Sequence, residues 1–391
     1  MNTCVLGAHQ CKLIALLRVV IWLGLELNRP FGIESSLRCV EELFNATDHK
    51  LGGFAASGDW ALSLPNLLLT AQFFKKSEPR DGVFAVLGML PELERDIVPD
   101  YSRSVESVMR DATRAVLSRE QDLDFLRYVN PHSQDLESED CSSWMFRADR
   151  RLDAEHDPNS LLSGAYAASA GLSRFLQNVR FLAQDSPFLE LEGIFVDEVK
   201  VTTSQCSRAD YLRANRLETW LCDAIKTFDI RATANEKSPD IPESELLRRL
   251  SNVVVCGVSN SGAIADSEEI AVMERYLQLV RGVGKQLGRK SRKETGLWDG
   301  FAAVDDHFIT NRLINRRLFL TQSGRFGSGI EAIRPGDKVV ILRGGGYPFI
   351  LRPVGQHYKF VGAAYVYGIM QGEAVTEHLA NGGEEQVFSI R

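Results

Sequence analysis

The 391-residue chain is 44% hydrophobic and 25% charged, with 45 basic and 52 acidic residues and a net charge of −7. These proportions belong to an ordinary globular protein and exclude long disordered tracts, collagen-like repeats and a membrane-embedded bundle. At about 150 residues per domain the length predicts two or three packed units, and the acidic balance argues against a nucleic-acid-binding protein.

The first apolar run, LIALLRVVIWLGL (Leu13 to Leu25), carries Arg18 at its centre, and no small-residue cleavage site follows it before Arg29-Pro30. It falls short of the roughly 20 apolar residues of a spanning helix, so it reads as core, with Val19 to Gly24 a buried strand. Seven scattered cysteines without a C-x-x-C pair read as reduced, buried thiols, which places the protein in the cytoplasm.

Helical spacing follows at residues 33–44, a loop is expected at 45–60, and a buried helix at Leu62 to Phe74. A short apolar run covers Val83 to Leu90. The clearest helix spans Asp100 to Leu126, with Ser102 or Ser104 as N-cap and Val105, Val108, Met109, Ala112, Ala115 and Val116 as its inward stripe. Residues 130–160, polar and acidic, read as a surface connection around Trp144. LELEGIFVDEVKVTT alternates as a strand with a turn or bulge at Gly193. Helical spacing returns over 208–285, broken by a loop near 233–244, and a basic run, KQLGRKSRK, starts at Lys285. From Arg316 short β-rich runs alternate with Gly and Pro. The predicted fold is therefore α+β: a helical N-terminal and middle region with a small β-barrel-like C-terminal module. The expected divisions are 1–130, 131–315 and 316–391.

Conventional catalytic motifs are missing. Gly344-Gly345-Gly346 precedes Tyr-Pro instead of a helix, which predicts a turn between strands and no nucleotide cradle. No G-x-S-x-G elbow, H-E-x-x-H or zinc-spaced His/Cys cluster occurs. Asp305-Asp306-His307 is the densest titratable knot and reads as a salt-bridged helix start. No cofactor or metal is expected. The last segment is rich in aromatic and cationic residues instead, and alternating positions on a curved sheet can line an apolar cavity.

Several segments, in order, resemble fungal heterokaryon-incompatibility (HET-like) proteins. EPRDGVFAVLGML followed by VPDYSRSVESVMRDATRAVL is similar to a family signature, SSWMF and LELEGIFVDEV sit where the family has a Trp motif and a strand, and Arg316 to Ala374 resembles its C-terminal module. VVIWLG resembles the strand closing the family's N-terminal domain. The family's opening "Y-x-A-L-S-Y-x-W-G" and "W-x-D-A-x-C-I-N-Q" segments are missing, which implies a truncated incompatibility domain that does not trigger cell death.

The resemblance implies a scaffold repurposed in fungal secondary metabolism, and one implied role is a norbornene-forming Diels–Alderase of the sordarin type. Such a cofactor-free cyclase needs a shaped apolar pocket for a terpenoid-like hydrophobic substrate and a donor that polarises it. Tyr347, Tyr358, Tyr365 and Tyr367 are the candidate pocket residues, with Trp60 or Trp144 as a further wall. Arg343, Arg352 or His357 is the candidate catalytic donor. The alternative is a non-enzymatic incompatibility or signalling protein that binds a protein partner.

Overall fold

Hydrophobic periodicity sorts the chain into short helices followed by strands that curl on themselves. The computed structural model describes residues 3–6, 9–12, 63–72, 76–88, 90, 97–120, 122–139, 141–150, 166–172, 180–181, 186–207, 216–229, 242–259, 263–283 and 312–391. Val19 to Gly24, the helix expected at 33–44, the 45–60 loop with Trp60, the basic run from Lys285 and the Asp305 knot lie outside the described residues. The chain divides into two units, Met1–Val116 with Arg147–Ala154, and Leu117–Phe146 with Glu155–Arg391.

In the first unit β1 (Thr3–Leu6) and β2 (His9–Lys12) pair as an antiparallel hairpin. The expected buried helix is α1 (Leu64–Ala71), and the run from Val83 is α2 (Asp81–Leu87), which buries Val83, Phe84, Val86 and Leu87. The long expected helix is shorter: α3 covers Val105–Arg119. Ser104 caps it, its hydroxyl accepting the Ser107 N–H at 3.1 Å, and Val108, Met109, Ala112 and Val116 are buried as the stripe requires. The chain resumes in the second unit as a 3-10 turn, Asp124–Tyr128, started by Asp122, whose carboxylate accepts the Asp124 N–H. The return stretch of the first unit is fastened by polar side chains: Gln72 Nε2 donates to the Arg147 carbonyl at 2.8 Å, and Lys76 Nζ to that of Ala148.

The second unit holds α4 (Ser133–Glu137), β3 (Arg180–Phe181), β4 (Leu189–Thr202) and the helices α5 (Arg216–Asp229), α6 (Glu243–Val254) and α7 (Ser267–Val283). Then come β5 (Arg316–Thr321), β6 (Phe326–Ile330), β7 (Lys338–Leu342), β8 (Pro348–Val354), β9 (His357–Val366), α8 (Glu373–Ala380) and β10 (Gln386–Ile390). The pairings run β4–β5–β6–β9–β8–β7 and back to β4, all antiparallel, so six strands close a ring. β10 lies against the first half of β4 and touches β9 where Ile390 meets Tyr358. The architecture is the expected α+β one with a C-terminal barrel.

β4 serves four neighbours, β3, β10, β7 and β5, because it bends. Its ladder shifts between Phe195 and Asp197 and again between Val199 and Val201, the mark of β-bulges. The sequence placed the irregularity at Gly193, but there the glycine has a different use: the Ile341 carbonyl lies where a Cβ would stand. Inside the ring the side chains are aliphatic, among them Ile194, Val339, Ile341, Ile350, Val361 and Val366, with Phe319 as the aromatic exception. Phe228 of α5 meets Phe326 of β6 edge-on at 5.3 Å.

Residues 141–146 correct the expected surface connection, because Cys141 to Phe146 are all buried and Trp144 is fully enclosed. Polar composition misled here because the Ser142 and Ser143 hydroxyls have backbone partners, the Pro187 carbonyl and the Phe360 N–H. A satisfied hydroxyl is cheap to bury. The four cysteines whose side chains are described, Cys141, Cys206, Cys222 and Cys256, are free and buried.

Candidate functional site

The polar and aromatic groups of the barrel unit gather at the loop between β7 and β8. The three glycines form the expected turn, and they also receive other parts of the chain. The carbonyls of Gly344, Gly345 and Gly346 accept N–H groups of Leu123, Ser169 and Ala168 at 2.9, 3.3 and 3.1 Å, and the Gly346 N–H donates to Asp124 Oδ1 at 3.3 Å. A Cβ on Gly346 would stand 2.9 Å from that carboxylate oxygen and 3.1 Å from the Tyr166 carbonyl oxygen, so a side chain here would push on both.

Tyr347 follows the loop and is buried. Its hydroxyl accepts from Arg127 Nη1 at 2.6 Å. The Arg127 guanidinium also donates to the Tyr128 hydroxyl and lies 4.6 and 5.6 Å from the Tyr128 and Tyr347 ring centroids, a cation–π arrangement. Tyr166 presents its ring edge to Tyr347 and is tilted against Tyr365, both at 5.9 Å, and its hydroxyl donates to the Cys256 carbonyl. Burial drives the Tyr166, Tyr347 and Tyr365 phenols well above the ordinary tyrosine range, so each is a neutral hydrogen-bonding group at neutral pH. Nearby, Arg312 binds the Val255 and Ser259 carbonyls at 3.0 and 2.9 Å. Arg127 and Tyr166 were missed in the sequence. Their one signal is an arginine inside the apolar stretch Phe125-Leu126-Arg127-Tyr128.

The residues singled out as donors are dispersed. Arg352 is buried and grips Asp337 through Nε and Nη2 at 2.8 and 2.9 Å, with a further bond to the Ala332 carbonyl. Arg343 bridges Glu192 at 2.9 Å and Glu385 at 2.7 Å. His357 is half-buried, edge-on to Phe188 at 5.6 Å, and burial, then Arg391 and Lys359, lower its pKa below the usual value. The three therefore face three different sets of partners. The sequence could not show this, because Asp337 lies 15 positions from Arg352 and Glu192 lies in a distant strand. A cation entering a buried wall pairs with the carboxylate the fold brings to it.

The expected pocket residues divide likewise. Tyr347 and Tyr365 come together through Tyr166. Tyr358 packs on Phe388 at 5.6 Å, and the Tyr367 hydroxyl accepts from Arg248 Nη2 at 3.3 Å. The Trp144 indole donates to the Pro187 carbonyl at 2.9 Å from full burial, which makes it a core anchor. Trp60 lies outside the described residues. Among the described residues no group of three His, Cys, Asp or Glu side chains could hold a metal ion, and no helix is long and apolar enough to cross a membrane.

Residues 290–381 match the family model of the Het-6 β-barrel domain. The chain is also 39% identical, over 79 residues, to Heterokaryon incompatibility protein 6, OR allele, of Neurospora crassa, a stretch that is 19% of this chain. It covers 11% of that relative's length. No solved structure matches. The match to the family model thus falls on the barrel, and the ring extends beyond the matched span, because β4 lies outside it.

Proposed function

We propose that the chain is a cytoplasmic incompatibility or signalling protein that binds a protein partner through its barrel module and catalyses no reaction. The observation that carries this reading is the match to the Het-6 β-barrel domain, on a barrel whose interior holds aliphatic side chains. A ring of six strands is narrow, and side chains fill one of this size, so recognition would use its outer surface. Free, buried thiols suit a reducing compartment.

A cofactor-free cyclase of secondary metabolism, taking a hydrophobic terpenoid-like substrate, is the second proposal. His357 supports it: the half-buried ring, kept neutral near pH 7, faces Phe188 and could donate to a substrate carbonyl. Forced expression in fungal strains of differing genotype, together with turnover assays on a diene–dienophile precursor, separates the two. Growth arrest that depends on the strain and persists in His357→Gln supports the first reading. No arrest in any strain, with conversion of the precursor that His357→Gln slows, overturns it in favour of the cyclase.

A further inference from the structure

Two cysteines stand opposite each other in the hairpin of the first unit. The register of β1 and β2 sets Thr3 against Lys12, Cys4 against Cys11, Val5 against Gln10 and Leu6 against His9. The period of two puts Cys4, Leu6, His9 and Cys11 on one face of this ribbon and Thr3, Val5, Gln10 and Lys12 on the other. Residues directly opposite in an antiparallel ladder have Cα atoms about 5.5 Å apart in a hydrogen-bonded pair and about 4.5 Å apart in the other kind. A disulfide accepts Cα separations of about 4.4–6.8 Å. Either kind of pair therefore sets Cys4 and Cys11 at a backbone spacing that a disulfide bridges without movement of the strands. The cysteines whose side chains are described differ: Cys141, Cys206, Cys222 and Cys256 are buried, and none of them lies in a strand.

We propose that Cys4 and Cys11 are an oxidant-responsive pair, two thiols in a reducing compartment and one disulfide when low-molecular-weight disulfides accumulate. With glutathione disulfide as the oxidant the exchange balances. One cysteine thiolate attacks a sulfur of glutathione disulfide, forming a mixed disulfide and releasing one glutathione. The second cysteine thiolate attacks the protein sulfur of that mixed disulfide, closing the Cys4–Cys11 bond and releasing the other glutathione. The two thiol protons end on the two glutathiones, and two electrons pass from the protein to glutathione. A two-stranded hairpin is marginal by itself in water, and a bond across it removes conformations from the open chain. Oxidation thus holds β1 on β2 in this register. Disulfides in reducing compartments are mostly transient, which suits a sensor more than a permanent staple. This goes beyond the binding role proposed above and does not depend on it.

The test equilibrates the full chain, without air, in glutathione buffers of graded oxidised-to-reduced ratio. The samples are quenched with acid, alkylated with N-ethylmaleimide and digested with trypsin. The peptide ending at Lys12 contains both cysteines, so the disulfide shows as that peptide lighter by two hydrogens and free of maleimide. In native buffer it should form at an oxidised-to-reduced ratio at least about tenfold lower than in concentrated urea, because the register holds the two positions opposite each other. Moving one thiol to the other face, by Cys4→Ser together with Val5→Cys, should abolish this native advantage. Equal ratios in native buffer and urea would overturn the proposal. So would a native peptide that never closes at any ratio, or an advantage that the shifted pair retains.

Discussion

Inside the ring, Ile341, Ile350 and Val361 meet other aliphatic side chains. Outside it, at the β7–β8 loop, Arg127, Tyr166 and Tyr347 meet one another through hydroxyls and ring faces. The two regions share one wall, since Tyr347 immediately precedes β8, which also carries Ile350. The inside is held by non-directional burial, which tolerates any apolar residue of suitable volume. The outside is held by directional bonds that join segments more than a hundred positions apart. Aromatic and cationic density marks where other parts of the chain are fastened to the barrel, whereas the interior, Phe319 apart, is aliphatic.

Removing a stave should have the largest effect. A chain of residues 290–391 contains the matched span but lacks β4, which leaves β5 and β7 without their shared neighbour. Unpaired edges in a short sheet aggregate, so this fragment should fail to give a cooperative unfolding transition. A well-folded fragment, seen as dispersed amide resonances, would show that the ring does not need β4.

Next comes the buried pair at the end of β8. Arg352→Met leaves Asp337, 1% exposed, without its cation, and should cost about 3–5 kcal/mol in denaturant unfolding. The double replacement Asp337→Leu with Arg352→Met should recover much of that loss, because it removes both charges. If Arg352→Met costs nothing, the arginine is free to act elsewhere and the structural assignment fails.

The smallest effect belongs to His357. Its pKa is lowered on folding, so the unfolded chain takes up the proton first as the pH falls. Stability from this group is complete above about pH 6.5, the ordinary value, and declines as the pH drops toward the folded pKa. His357→Gln should therefore change stability little at pH 7.5 and flatten the decline below about pH 6.5. A variant that follows the wild-type profile would remove His357 from the account.

Much of the fold was legible because periodicity is local. The buried helix near residue 64, the capped helix beginning after Ser104, the strand from Leu189 and the β-rich end all stand where their patterns place them. The end of α3 was overrun because Leu123 and Leu126 continue the apolar spacing although the chain has already turned at Asp122. Burial of Ser143 and Trp144 could not be read, since it depends on Phe360 and Pro187, far along the chain. The site was legible only as composition. Tyr347 and Tyr365 were two of four tyrosines named as candidate pocket residues, whereas the Tyr166 that lies against both and the Arg127 that engages Tyr347 carry no motif.

The most direct test of these groups as fasteners is a double-mutant cycle on Arg127 and Tyr347, read by equilibrium unfolding. Tyr347→Phe removes the hydroxyl that accepts from Arg127 at 2.6 Å, Arg127→Met removes the cation, and the double variant closes the cycle. A hydrogen bond to a charged group, inside a buried cluster, predicts a coupling energy of about 1.5–3 kcal/mol. A coupling near zero would mean that the tyrosine and the arginine do not hold each other, and it would contradict the view that the aromatic and cationic residues of this barrel are structural.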